Sequence, residues 1–241
     1  MAYEVLVLYK RSQTYVNTIY EHLLGLKESK KRGELKFNYL CIDSIKDPKI
    51  LNSFNCIVVH FSVRICFHEI TLNLQDFLRS FKGTKVLFIQ DDYDNTMVAR
   101  EKIKAIKFDI VLTSVPEKSI NEIYPRNEFL GTKFENVLTS YCKDKSLDDF
   151  NKLKKASKRN ILIGYRGREL PLRYGKLGQQ KKELAIVFKD YCKLKKINSD
   201  IKFKEKDRIY GNKWNTFLSN SRATLGSESG SNIFDCFSKF K

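Results

Sequence analysis

The first 125 residues alternate continuous apolar runs with one-faced amphipathic runs, and that alternation restricts the fold more than any other feature of the chain. Residues 3–9, YEVLVLY, form an uninterrupted hydrophobic run of strand length. Val16, Ile19, Tyr20, Leu23 and Leu24 then recur at the spacing of a single helix face. Residues 37–42 and 56–60 read as the second and third strands, with Asp47-Pro48 marking the loop between them. Ile70, Leu74, Phe77, Leu78 and Phe81 define the next helix, which Gly83 ends. Residues 85–89 are the fourth strand, 97–106 a helix and 110–113 the fifth strand. Ser114-Val115-Pro116-Glu117 has the spacing of a capping box with proline in the first turn, so a last helix runs to about Tyr124, where Pro125 stops it. Repeated strand–helix units of this kind predict a doubly wound, mostly parallel sheet.

Beyond this region the pattern weakens and then resumes. Residues 132–159 are polar and close on Lys152, Lys154, Lys155, Lys158 and Arg159, as a basic connection would. A second alternation begins at 160–164. A glycine- and arginine-rich loop comes next, at 165–178. Leu184, Val187, Phe188, Tyr191 and Leu194 then mark an amphipathic helix over 182–195, and 201–203 is a short strand. The expected organisation is α/β with two Rossmann-like domains, residues 1–131 and 160–241, joined by 132–159.

Bulk properties narrow the function classes. With 42% hydrophobic residues the chain has material for globular cores. The formal charge of +17 implies attraction to phosphates on nucleotides, lipids or nucleic acid. The aromatic residues fall mostly inside strand and helix patterns, which argues against a stacking platform for single-stranded nucleic acid; a basic nucleic-acid-binding module is kept as the rival reading. None of the cysteines Cys41, Cys56, Cys66, Cys142, Cys192 and Cys236 forms a C-x-x-C pair or a metal-ligand spacing with His22, His60 or His68. A reduced, cytoplasmic protein is expected. The apolar run at the N-terminus is too short and too charged for a signal peptide, and no run reaches membrane-spanning length. Membrane contact must then be peripheral, with the basic runs at 27–32 and 152–159 drawn to an anionic surface.

The densest chemistry lies in residues 208–235, RIYGNKWNTFLSNSRATLGSESGSNIFD. Trp214, Phe217 and Leu218 form one apolar helix face, and Asn220 and Ser221 end that helix. A brief buried strand over 223–226 leads into Ser227, Glu228, Ser229, Gly230 and Ser231. Loops beyond the carboxyl ends of strands are where open α/β sheets bind ligands. A carboxylate there can accept hydrogen bonds from both ribose hydroxyls, and hydroxyls with free backbone N–H groups can hold a diphosphate. Taken alone, the loop reads better as a solvated turn with Glu228 in water. Arg166, Arg168, Arg173 and Lys176 cluster after the first strand of the second domain. Arginine forks pair bidentately with phosphate, and fixed cations can stabilise a leaving diphosphate without a metal. A solvated basic loop is the commoner fate of such a charge run.

The pattern RIYG-x-x-W-x-x-FL-x-x-SRA-x-LG-x-ESGSN-x-FD resembles the donor-side motif of bacterial family-1-type glycosyltransferases of the GT-B fold, which are commonly encoded in surface-polysaccharide clusters. GYRGRELPLRYGKLGQQK and VLFIQDD resemble the same family, so the likeness covers nearly the whole chain. It implies transfer of a sugar from a nucleotide-sugar to a glycan or lipid-linked acceptor. The nucleotide-sugar is a substrate, and no cofactor is implied. It further implies that Glu228 and the serines of its loop meet the donor, that the cationic loop faces the donor phosphates with Arg166 and Arg173 foremost, and that Arg208 and Tyr210 lie near the base. From the residues alone, Trp214 is expected in the core, and Tyr210 packs either there or beside the base.

In the first domain, His60, Gln90, Asp91, Asp92 and Ser114 fall at the carboxyl ends of predicted strands, which share one edge in a parallel sheet. Asp91, Asp92 and His60 are thereby candidates for the general base of an inverting transferase. The competing reading has Asp91 and Asp92 capping the next helix and His60 hydrogen-bonded in the core. No D-x-D motif is present, so no essential divalent metal is expected.

The resembled family continues past this motif with further strand–helix units, whereas here Asp235 is followed by CFSKFK. The expectation is an incomplete second domain of marginal stability, with transfer weak or absent. A non-catalytic remnant is the second rival reading.

Overall fold

The structure is a computed structural model that describes residues 3–28, 35–138, 154–228 and 233–234. The chain divides into two compact units, one carrying a six-stranded sheet and the other a three-stranded sheet.

The first unit contains β1 (Tyr3–Tyr9), α1 (Asn17–Glu28), β2 (Leu35–Cys41), β3 (Cys56–Val59), α2 (Leu72–Ser80), β4 (Thr84–Ile89), α3 (Thr96–Ile106), β5 (Ile110–Thr113), α4 (Glu117–Ile123) and β6 (Lys133–Asn136). Its order is β2-β1-β3-β4-β5-β6, and every pair is parallel. The chain turns back at β1 and β3, so the sheet is doubly wound. Its two faces are read directly from strand alternation. Leu6, Leu8, Ile57 and Val59 join a core under α2 and α3 that includes Leu74, Leu78, Ala99 and Ile103. Val5, Val7, Cys56 and Val58 point the other way and pack with Leu23 of α1. Burial on both faces is why these strands read as unbroken apolar runs.

β6 lies inside the segment expected to be a connection. It is an edge strand with a single apolar anchor, Phe134, stacked on Tyr124 at 4.6 Å. An edge strand of alternating polarity, KFEN, leaves no hydrophobic run to detect. The expected capping box also differs. Pro116 occupies the N-cap of α4 and no side chain caps it.

The second unit contains β7 (Ile161–Arg166), α5 (Gly175–Leu194), β8 (Ser199–Lys202), α6 (Asn212–Asn220) and β9 (Ser221–Thr224). β7 is central, with β8 and β9 parallel on either side. α5 begins well before the residue at which its apolar stripe becomes clear. Gly178, which suggests a loop in the sequence, sits inside the helix, where a Cβ would lie 2.8 Å from the Tyr174 Cβ. On α6 Phe217 is the buried anchor, whereas Trp214 is 36% exposed and stands outside the core in which it was expected. Cys41, Cys56, Cys66 and Cys192 are buried, as small hydrophobes are. Among the described residues no helix is long and apolar enough to cross a membrane.

Candidate functional site

The second sheet carries a topological switch point. From β7 the chain crosses through α5 to β8 on one side, then returns through α6 to β9 on the other. The connections therefore diverge between β7 and β9, the position at which open α/β sheets form a ligand crevice beyond the strand carboxyl ends. Because all three strands are parallel, the loops leaving them share that edge. The loop after β7 carries Arg168 and Arg173 and leads into Lys176 in the first turn of α5; the loop after β8 carries Arg208 and Tyr210; Ser227 and Glu228 come after β9. Ser229, Gly230 and Ser231 lie outside the described residues.

Close packing holds β7 and β9 together. Gly164 on β7 faces α6, and a Cβ at that position would lie 2.5 Å from Ser221 Oγ and 2.7 Å from Phe217 Cζ. The Leu225 N–H donates to Gly164 O at 3.1 Å and extends the pairing to the threshold of the Ser227–Glu228 loop.

The cations of this edge differ in their freedom. Arg166 is enclosed. Its Nη2 donates to Asp200 Oδ2 at 2.5 Å, its Nη1 donates to Asp200 O and Tyr165 O at 2.9 Å, and its guanidinium lies over the Phe217 ring at 4.3 Å. Arg168 is half-buried and makes no hydrogen bond or ion pair among the described residues. Arg173 is exposed beside the Tyr174 ring, and Lys176 is exposed in the first turn of α5. That turn holds no acidic residue, so a cation sits at the positive end of the helix dipole, an arrangement that favours a bound anion. Arg208 donates to Glu205 Oε1 at 2.7 Å and stacks on Tyr210 at 5.0 Å. The hydrogen bond from Arg208 holds the Glu205 carboxyl below its ordinary value, and burial holds the Tyr210 phenol above its own. Glu228 is exposed and makes no hydrogen bond or ion pair among the described residues.

The first unit sorts its three candidates differently. His60 is fully buried at the end of β3 and accepts from the Ser62 N–H at Nδ1, 3.0 Å away. Burial, with the neighbouring His22, pushes it down to about 3. Asp92 is also buried. It accepts from Thr113 Oγ1 at 2.8 Å and Tyr124 OH at 2.5 Å, and burial raises its pKa. Both side chains have the surroundings of core polar groups. Asp91 is exposed at the sheet edge with φ of 60° and accepts from Tyr93 OH at 2.8 Å. Neither aspartate caps α3 through its side chain, because Asn95 occupies that N-cap without a side-chain cap bond. The Thr96 hydroxyl instead donates to the Asp92 carbonyl at 2.8 Å.

Asp200, the partner of Arg166, and His22, the partner of His60, are not evident from the sequence. Nothing local marks either one, since each pairing depends on strand register or helix placement. Among the described residues no group of three or more His, Cys, Asp or Glu side chains is placed to hold a metal ion. No family model, curated protein or solved structure matches the chain.

Proposed function

We propose that this chain is a glycosyltransferase of the GT-B type, whose second unit holds the nucleotide-sugar and whose first unit serves the glycan or lipid-linked acceptor. The observation that carries the reading is the parallel pairing of β7 with β9. It brings the cationic loop after β7 and the Ser227–Glu228 loop after β9 to one edge of a sheet, at its switch point. Diphosphate and ribose need these two chemistries side by side: cations without internal partners, and a carboxylate without one. Arg168 and Lys176 supply the first and Glu228 the second. The resemblance in the motif residues supports the same assignment.

On the acceptor side, Asp91 suits a general base better than His60 or Asp92 do. It is exposed at the carboxyl edge of β4, whereas the other two are enclosed by hydrogen-bond partners. An exposed carboxylate can reach an acceptor hydroxyl without disturbing the core.

The test is calorimetric titration of nucleoside diphosphates into the chain and into Glu228→Gln. Weaker binding in the variant, with its melting temperature unchanged, is the expected result. Equal affinity in the two proteins removes Glu228 from the ribose, and the observation loses its force.

A further inference from the structure

Arg166 is the most enclosed cation of the second unit's carboxyl edge, and its contacts assign it a different task from its neighbours. Its side chain is only 10% exposed. The terminal nitrogens are committed to Asp200 on β8 and to the carbonyls of Tyr165 and Asp200. One face of the guanidinium is covered by Phe217 of α6, and Nε is buried without a hydrogen-bond partner among the described residues. A phosphate could displace these contacts only by leaving Asp200 as a half-buried carboxylate without its cation, which is costly. The guanidinium therefore joins β7, β8 and α6 beside the switch point.

The clamp acts on the main chain immediately beyond Arg166. The Gly167 N–H donates to Lys202 O and the Glu169 N–H donates to Phe203 O, both at 3.1 Å. The main chain is thus pinned to the continuation of β8 immediately before and after Arg168. Arg168 leaves this pinned segment half-exposed, with Glu205 as its acidic neighbour and no ion pair among the described residues.

We infer that Arg166 is a positioning residue: by locking onto Asp200 and Phe217 it fixes the 167–169 segment so that Arg168 is presented to the anionic group of the ligand. This rests on the reading of the edge as a diphosphate site. A planar fork is needed for the task, because one guanidinium reaches the carboxylate and two carbonyls at once while stacking on a ring. Lysine at 166 keeps the charge but loses the geometry.

Inorganic pyrophosphate is the probe, since it tests the anion site without any assumption about the base. Binding is measured by calorimetry in the wild type, Arg166→Gln, Arg166→Lys, Asp200→Asn, Arg168→Gln and the double variant Arg166→Gln/Arg168→Gln. Arg168→Gln is expected to lower affinity roughly tenfold or more, the worth of a charge-assisted hydrogen bond. Arg166→Gln, Arg166→Lys and Asp200→Asn each lower it in the presence of Arg168. In the Arg168→Gln background, Arg166→Gln changes affinity less than about twofold, because there is no longer a residue to position. A purely structural role would lower affinity equally in both backgrounds, and a direct ligand would add its own loss to that of Arg168; either result overturns the proposal. Melting of the ligand-free proteins supplies the second arm. Arg166→Gln, Asp200→Asn and the double variant Arg166→Gln/Asp200→Asn complete a cycle in which the two changes are expected to lower the melting temperature of the second unit non-additively. If that coupling appears but the wild type does not bind pyrophosphate, the anion-site reading fails and takes the positioning role with it. If binding is retained and the melting effects are additive, the clamp alone is refuted.

Discussion

His60 Nε2 lies 3.0 Å from His22 Nδ1 inside the first unit, and Ser62 decides which ring donates. The Ser62 N–H donates to His60 Nδ1, so the His60 proton is on Nε2 and is given to His22. Both rings are neutral in this arrangement. Burial lowers the pKa of each, and His60, which also feels His22, falls to about 3.

A pH dependence of stability is expected from that pair. The unfolded chain takes up a proton on each imidazole near pH 6.5, whereas the folded chain resists until His60 approaches about 3. The stability contributed is complete above pH 6.5 and is lost as the pH falls from there, by up to about 1.4 kcal/mol per pH unit for His60, with His22 acting in the same direction. Asp92 has the opposite sign, since its raised pKa favours the fold at acid pH and that contribution fades as pH rises through the folded value. Urea melts of the wild type near pH 7 and pH 5 are expected to show a loss on acidification. His60→Gln should flatten that slope by about one proton. An unchanged slope in the variant would mean that His60 titrates normally in the fold.

The two adjacent aspartates of the first unit are expected to part company on mutation. Tyr124→Phe removes a hydroxyl donor from the buried Asp92 and should cost about 1–3 kcal/mol. Asp91→Asn keeps a residue suited to left-handed backbone at an exposed position, so stability should change by less than about 0.5 kcal/mol. If Asp91 is the general base, transfer in Asp91→Asn falls by about a hundredfold or more at unchanged stability. Chemical denaturation beside a turnover assay separates the effects. A large stability loss in Asp91→Asn would place that residue in the framework instead.

Gly164→Ala tests the packing at the second unit's switch point. Its backbone conformation is ordinary, so the expected damage is purely steric: the new methyl meets Ser221 Oγ and the Phe217 ring. Overpacking of this kind costs about 1–3 kcal/mol. Because the clash forces β9 and α6 away from β7, faster amide exchange is expected on both elements. Exchange at wild-type rates would show that α6 shifts without strain.

How much of this is legible in the sequence depends on whether a signal is local. VLVL and CIVV announce buried parallel strands because both faces of the sheet are covered, leaving no polar alternation. KFEN does not announce β6, because an edge strand needs only Phe134 inside. The loop after β9 can be placed at a ligand edge, since strand direction alone puts it there. The roles within the arginine cluster cannot be read, because GYRGR shows two similar arginines. Only the β7–β8 register, which sets Gly164 opposite Asp200, tells which one is consumed. Trp214 misleads because bulk is no guarantee of burial, and the helix turns the smaller Phe217 inward.

The two units have unequal cores. The buried cluster of the second unit consists, among the described residues, of Tyr165, Ala185, Cys192 and Ile201, and two of these side chains are small. The first unit buries residues from β1, β3, β4, β5, α2 and α3 in one continuous cluster and adds a second against α1. Apolar area removed from water is the main favourable term in folding, so the second unit is expected to open at lower free energy. Hydrogen exchange should show β7, β8 and β9 exchanging before β1, β3 and β4. A ligand bound at the β7/β9 edge stabilises the unit it binds by about 2.7 kcal/mol at a hundredfold excess over Kd. A nucleoside diphosphate should therefore slow exchange in β7–β9 while leaving β1–β6 at their ligand-free rates. Protection that appeared in the first unit alone would move the nucleotide site to the edge that carries Asp91.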